Sequence, residues 1–535
     1  TLDPAYATAN WTSANNNIDA GVTFDVICGA AARTNWHVAT TGSDIAGSGT
    51  LASPLSSIQT AINAATVGDT VSVAAGTYVE NINFSGKNIA VIGADSSNTI
   101  IDGDSSGSVV VFNSGEDTTA IIKNFTIQNG SGSSKPGFTH GNNFGGGFLI
   151  YNHSSPKLKN LSIKNNVTIN EGGGILAYDQ SNIVIDGCSI AGNSGGYSGG
   201  GLILWSNCDA KIRNTTISNN SGGSGGGITI MDRSDALFSN VSILNNESTS
   251  SGGGIYSTAS YPIFRNCVIQ GNSAVNTGGG IFVNFDNLLT QMDIENCVID
   301  SNTASHAGGI GSVSSTVTIT NSTISNNSVS GGSGGGIGFW STTATLKNVA
   351  IIDNLTVPSE YSAGGLYLQN SSPTLSNVTI AGNTSENSGG LYCQDNSNPI
   401  IVNSILWNNA SNEITFRQDG DDNSLTTAYS NIRGGVGNVD MNGNGSVEWL
   451  AGNLNIYPTF ADTANGDYTL KDTSLCISAG ASSVTIGGTT YIAPTTDLTG
   501  NARPSPAGTV PDMGAYENSN GVASYSGDNY YVSAS

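Results

Sequence analysis

Residues 225–246 read G-G-G-I-T-I-M-D-R-S-D-A-L-F-S-N-V-S-I-L-N-N, and this stretch decides the fold. It contains three short runs, 225–232, 236–240 and 240–246, in which apolar and polar residues alternate with period two. Such runs, bounded by Gly, Asp, Ser and Asn, read as three strands joined by turns. A helix would not tolerate this load of Gly, Asn and β-branched residues.

Working outward, the same unit recurs. A GG followed by an apolar residue places that residue at Phe148, Ile175, Leu202, Ile228, Ile255, Ile281, Ile310, Ile337, Leu366 and Leu391, in steps of 25 to 29 residues. A second signature, N-x-x-[IL]-x-x-N, runs in phase with it: Asn160 with Ile163, Asn214 with Ile217, Asn240 with Ile243, and so on to Asn403 with Leu406. A constant period of three strands means that each unit stacks on the next as one parallel coil. About eleven such coils at ~4.8 Å each give a rod on the order of 50 Å long. Asn at a fixed bend tolerates left-handed backbone angles, and stacked Asn side chains can form an inward ladder. The residue after the turn Asn points inward and stays small, as at Leu161, Cys188, Thr215, Val241, Cys267 and Cys297. Three of the seven cysteines are thereby packing residues, and an odd count leaves at least one unpaired.

Composition agrees and excludes. Glycine is 71 of 535 residues, about twice ordinary usage, and charged residues are only 10%. Lys+Arg number 16 against 39 Asp+Glu, for a net charge of −23, which excludes a general nucleic-acid binder and disfavours attraction to anionic membranes or acidic polymers. No run of about 18 apolar residues exists, so no membrane insertion by a helix is expected. The absence of an initial Met or leader suggests a processed or excised chain.

The GG[IL] and N-x-x-I signatures resemble right-handed parallel β-helices of the pectate-lyase-like superfamily and the repeats of polymorphic outer-membrane proteins. The opening S-G-T-L-A-S-P-L-S-S-I-Q-T-A-I-N-A-A (48–65), with G-D-T-V-S-V-A-A-G-T-Y (68–78) and I-I-D-G (100–103), is similar to many secreted members. Segments 428–435, 465–480 and 497–517 resemble the C-terminal part of bacterial choice-of-anchor secreted proteins. The resemblance implies an all-β chain: an N-terminal extension (1–41), a single right-handed parallel β-helix (42–432), a β-rich C-terminal cap (433–517) and a tail (518–535). Ser56 or Ser57 can N-cap a short amphipathic helix near 56–65 that plugs the open end, with Ile58, Ala61, Ile62 and Ala65 inward. An extracellular or bacterial cell-surface location follows from the same likeness.

Enzymes of this superfamily act on the outer face of the first strand. The outward positions after each GG carry no Lys, Arg, His, Asp or Glu, so a lyase, which needs a base beside metal-binding carboxylates, fits poorly. An inverting hydrolase fits better: Asp179 and Asp232 share one strand-end slot two coils apart, at roughly 9.6 Å from twice the strand spacing. The plainer reading of both is a turn aspartate, which Asp395 in the same slot supports. The aromatic residues form a strip instead: Tyr151, Tyr178, Trp205, Tyr256, Phe282, Trp340, Tyr367 and Tyr392. The strip could stack on a glycan, pack on another chain, or lie under long loops such as 130–143. D-M-N-G-N-G-S-V-E (440–448) resembles a Ca2+ loop through Asp440, Asn442, Asn444 and Glu448, but its twelfth position is Ala451.

The last seven residues, including Tyr530, Tyr531 and Val532, repeat the pattern of 35–41, which includes Trp36 and Val38. That repetition predicts head-to-tail self-association through 518–535 and 1–41, by strand addition or in a longer tandem chain. The functional expectation is a secreted structural or adhesive rod without catalysis. The alternative is a carbohydrate-binding or polysaccharide-degrading protein working on the first-strand face.

Overall fold

The structure, a computed structural model, describes residues 34–134, 143–285, 290–357 and 361–522. It is a parallel β-solenoid with three long faces: a 14-stranded, a 25-stranded and an 8-stranded sheet, each running down successive coils. One coil illustrates all. Ile228–Met231 lies in the first sheet, Leu237–Leu244 in the second and Glu247–Ser248 in the third. Between the first two, Asp232 and Arg233 turn the chain with φ of 54° and 62°, and Asn240 bends the long strand with φ 55°. Asn and Asp recur at these bends because a short polar side chain tolerates the left-handed region.

The structure separates two roles within the N-x-x-I-x-x-N signature. The first Asn, such as Asn160, Asn214 or Asn240, is the outward-facing bend residue and does not form the inward ladder. The second builds it: ten buried asparagines from Asn166 to Asn409 each donate Nδ2 to the oxygen one coil on, and the last donates to Glu413. The two signatures run in phase because they touch. A Cβ on Gly227 would lie 2.7 Å from the carbonyl oxygen of Gly254 and 3.0 Å from the Asn246 amide, so only glycine lets the coils close over the ladder.

The small inward row is as the alternation predicts: Leu161, Cys188, Thr215, Val241, Cys267 and Cys297 are buried. The six described cysteines are free and buried. Helix α1 (Ile58–Ala64) is N-capped by Ser57, whose Oγ accepts from Thr60 N, and it buries Ile58, Ala61 and Ile62. The Glu80 carboxylate accepts from Ile58 N and Gln59 N at its start, while Lys87 Nζ donates to the carbonyls of Ile62, Asn63 and Ala65 at its end. These charges complement the two ends of the helix.

Two boundaries shift, and the coil count rises. The solenoid begins before residue 42, since β1 (Asn35–Val38) pairs in parallel with β2 (Thr70–Val73). It runs past residue 432, because Gly445–Trp449 pairs in parallel with Asn423–Ala428. Its 14 first-sheet strands exceed the eleven repeats read from sequence, as the end coils lack the GG signature. Beyond them, the C-terminal segment lies along the flank of the coil rather than across its end. Asn348, Asn377 and Asn403 are bend asparagines of the kind exposed elsewhere. Here Nδ2 of each donates to a C-terminal carbonyl, of Thr496, Asp512 and Ala481 respectively. Arg503, 4% exposed, donates to Glu517 at 2.8 Å and to Asn348 Oδ1 at 2.9 Å, locking the segment down. A buried ion pair of this kind needs its further hydrogen bonds, and Asp512 N and Ser505 N supply them to Glu517.

Candidate functional site

The outer face of the 14-stranded sheet gathers the aromatic residues into two groups. In the first, Tyr178 and Trp205 on adjacent coils meet edge to face with centroids 5.1 Å apart. Trp205 Nε1 donates to the Asp232 carboxylate, and Tyr151 Oη accepts from Asn113 Nδ2 at 3.1 Å. Burial pushes the Tyr178 phenol up from its ordinary value, and the neighbouring Asp179 and Asp232 charges push it further. Asp179 and Asp232 each occupy a left-handed turn, with φ 58° and 54°, shared by Asp395 at 53°. The same slot holds Asn152, Ser206 and Asn370 on other coils, so a short polar side chain of any of these kinds suits the turn.

Part of the expected strip is not a surface. Leu149, Leu176 and Ile203, read as outward, are buried under Phe144, with Tyr151 and Trp205 at the edge of that cluster. Phe144 adjoins the 130–143 segment, of which residues 135–142 lie outside the described residues.

The second group spans later coils. Tyr256 and Phe282 are half-buried, with centroids 5.9 Å apart. The indole of Trp340 folds back over Gly338, where a Cβ would meet it at 2.5 Å, and reaches Tyr367 at 5.8 Å. Tyr367 stacks on Tyr392 at 5.8 Å and 3°. Both are buried beneath Trp340 and Tyr361, which corrects their reading as exposed binding residues. Burial pushes the Tyr367 phenol up to about 12.

One residue of this face was missed by sequence reading. Arg417 follows Ile414–Phe416, which pairs with Leu391–Cys393, so it occupies the slot of Gln394, Gln369 and Trp340. It is the basic group absent from the earlier coils of this face. Its guanidinium lies 4.4 Å from the Tyr361 ring centroid and pairs with Asp419. The signal was the alternation I-T-F-R at 414–417, hidden because Asn412-Glu413 replaces the GG.

In the expected Ca2+ loop, 440–448, the side chains bond within the chain. Asn442 Nδ2 donates to Phe416 O, and Asn444 Nδ2 donates to the carbonyls of Arg417 and Asp419 on the preceding coil. Asp440 accepts from Asn442 N and from Asn412 Nδ2, and Glu448 accepts from Thr426 on the second sheet. Among the described residues no three His, Cys, Asp or Glu side chains converge. The alternation of this loop serves coil-to-coil bonding. Of the proposed assembly residues, Val38 is a buried core residue and Trp36 packs against the core in β1. Tyr530, Tyr531 and Val532 lie outside the described residues.

A profile of the right-handed β-helix region matches residues 71–287 and 287–432. The chain belongs to the right-handed β-helix family. Among solved structures it is similar to the catalytic unit of a thermostable α-1,3-glucanase from Streptomyces thermodiastaticus strain HF3-3. That match has 15% identity over 78% of this chain and 68% of that one, with a TM-score of 0.43. It is also similar to a mannuronan C-5 epimerase A-module from Azotobacter vinelandii, at 15% identity over 75% and 94% with a TM-score of 0.33. A pectate lyase matches at 13% identity over 91% and 97% with a TM-score of 0.24. These likenesses concern the fold alone. No curated protein sequence matches the chain.

Proposed function

We propose that the protein is a secreted or cell-surface adhesive rod that holds a glycan on the outer face of its 14-stranded sheet without cleaving it. The observation that carries this reading is the Tyr178–Trp205 pair: two half-buried rings, 5.1 Å apart, edged by the Asp179 and Asp232 carboxylates. Ring faces stack on the apolar faces of sugars, and carboxylates accept from sugar hydroxyls. Trp340 and Tyr361, with Arg417 beside them, offer a second platform further along the same sheet.

Inverting hydrolysis is the second reading, favoured by two carboxylates that sit two coils apart in the same strand-end slot. A glycan-array screen coupled to a released-sugar assay separates them. Binding that is lost in Trp205→Ala, with no sugar released, supports the adhesive reading. Turnover abolished by Asp232→Asn would replace it with the hydrolase.

A further inference from the structure

The net charge of −23 conceals one face of opposite sign. On the outside of the 25-stranded sheet, strand pairing aligns three rows of outward residues down six coils. The first row runs Lys157, Val184, Lys211, Leu237, Ile263, Asp293. The second runs Lys159, Asp186, Arg213, Ser239, Arg265, Glu295 through the same pairings. The third runs Lys164, Ala191, Ser218, Leu244, Gln270, Asp300. Two lysines therefore mark the first coil and two carboxylates the sixth in the first two rows, which precede the bend asparagines; the third row lies beyond the bend. The coil of Leu237–Leu244 between them carries no charge on these rows.

We propose that this face joins two copies of the chain, antiparallel, about a two-fold axis that runs along the strands midway between Lys211–Ser218 and Leu237–Leu244. Such an axis reverses the order of the coils and keeps the rows, so the contact is isologous. It sets Lys157 against Asp293 of the second copy and Lys159 against Glu295. One coil further in, Asp186 meets Arg265 and Val184 meets Ile263. At the centre Lys211 and Arg213 meet the uncharged Leu237 and Ser239. No row brings like charges opposite each other, and every pair occurs twice.

Some of these charges are also bonded within the chain: Asp186 pairs with Lys159 and Arg213, and Asp293 accepts from the Tyr261 hydroxyl. Lys157 and Lys164 form no ion pair among the described residues. Arg213 and Arg265 keep side-chain exposures of 53% and 52% while bonded to Asp186 and Glu295 within the chain. On the side of the bend that carries the first two rows, six coils at about 4.8 Å by three residues at about 3.3 Å give roughly 290 Å² per copy, so the contact rests on its charges rather than on area. The C-terminal segment begins to cover this sheet at Asn348, beyond the last pair.

Sedimentation velocity on the full chain at low salt tests this. We expect twice the monomer mass at high protein concentration, falling to the monomer as salt screens the exposed pairs. Lys157→Glu with Lys159→Glu gives a monomer, and so does Asp293→Lys with Glu295→Lys. Asp300 is left intact because it accepts from Gln270, Ser325 and Asn326 within its own chain. Mixing the two variants one to one restores the dimer, since each now carries the sign the other lacks. Circular dichroism checks that both variants fold. A wild type that stays monomeric, binding only an added linear polyanion on its lysines, overturns the proposal. So does a mixture that fails to recombine.

Discussion

Replacing Asn246 by Ala removes one rung from the interior ladder. Asn246 Nδ2 donates to Asn272 Oδ1 at 2.9 Å and to Ile217 O at 3.0 Å. Its Oδ1 accepts from Asn220 N and Asn220 Nδ2, both at 3.0 Å. All four bonds are buried; Asn220 N loses its acceptor and Ile217 O a donor, while Asn220 Nδ2 keeps Ile190 O and Asn272 Oδ1 keeps Asn246 N. At about 1 kcal/mol for each bond, and more where a group is orphaned, the loss is about 4 kcal/mol. Asn246 has no left-handed backbone angle, so no strain enters the difference. Asn240→Ala is the control from the same coil. Asn240 is exposed, its one side-chain contact to Asn214 is 3.4 Å long, and its φ is 55°. Ala there costs about 1 kcal/mol through the left-handed angle. Urea unfolding followed by circular dichroism compares the two. Equal losses, or a loss at Asn246 below that at Asn240, would refute the division of labour between the two asparagines.

Glu413, at the end of the ladder, is pushed up from 4.5 to about 7 by burial, against the bonds it accepts from Asn409. A carboxyl that holds its proton more tightly when folded makes the fold most stable below pH 4.5 and weakens it as pH rises to about 7. At about 1.4 kcal/mol per pH unit the loss is about 3 kcal/mol. Asp512, also raised to about 7 by burial, acts with the same sign. Glu413→Gln should flatten that part of the profile, measured as melting temperature from pH 4 to 8; an unchanged slope would count against it. Gly227→Ala should prevent folding or lower the melting temperature steeply, since the added carbon would strike the next coil and the ladder. A mild effect would show that the coils can spread. EDTA should leave melting unchanged, because the side chains of 440–448 are engaged within the chain. A rise in melting temperature with calcium, lost in Asp440→Asn, would show that they rearrange around the ion.

The repeat made the solenoid, its strand count per coil, the small inward row and the helical plug legible in the sequence, because each rests on local periodicity. What was not legible depends on register across turns of unequal length. Asn160 and Asn166 look alike in the sequence, yet one bends the strand and the other bonds through the core. Leu176 and Ile203 alternate outward as expected, but a residue some thirty to sixty positions away, Phe144, covers them. Arg417 joined the site only when pairing with the preceding coil was known. The K-L-K at 157–159 and the D-I-E at 293–295 were visible as charges, but their shared rows were not, since the steps between coils vary from 25 to 29 residues. The bend asparagines 348, 377 and 403 gave no sign that the C-terminal segment would bury them.

The most direct test of the glycan-binding account is a crystal structure of the protein with the glycan that binds it most tightly in an array. The account expects sugar rings lying on Tyr178 and Trp205, with hydroxyls donating to Asp179 or Asp232. Sugar bound on another sheet, or no sugar on this face at saturating concentration, would contradict it.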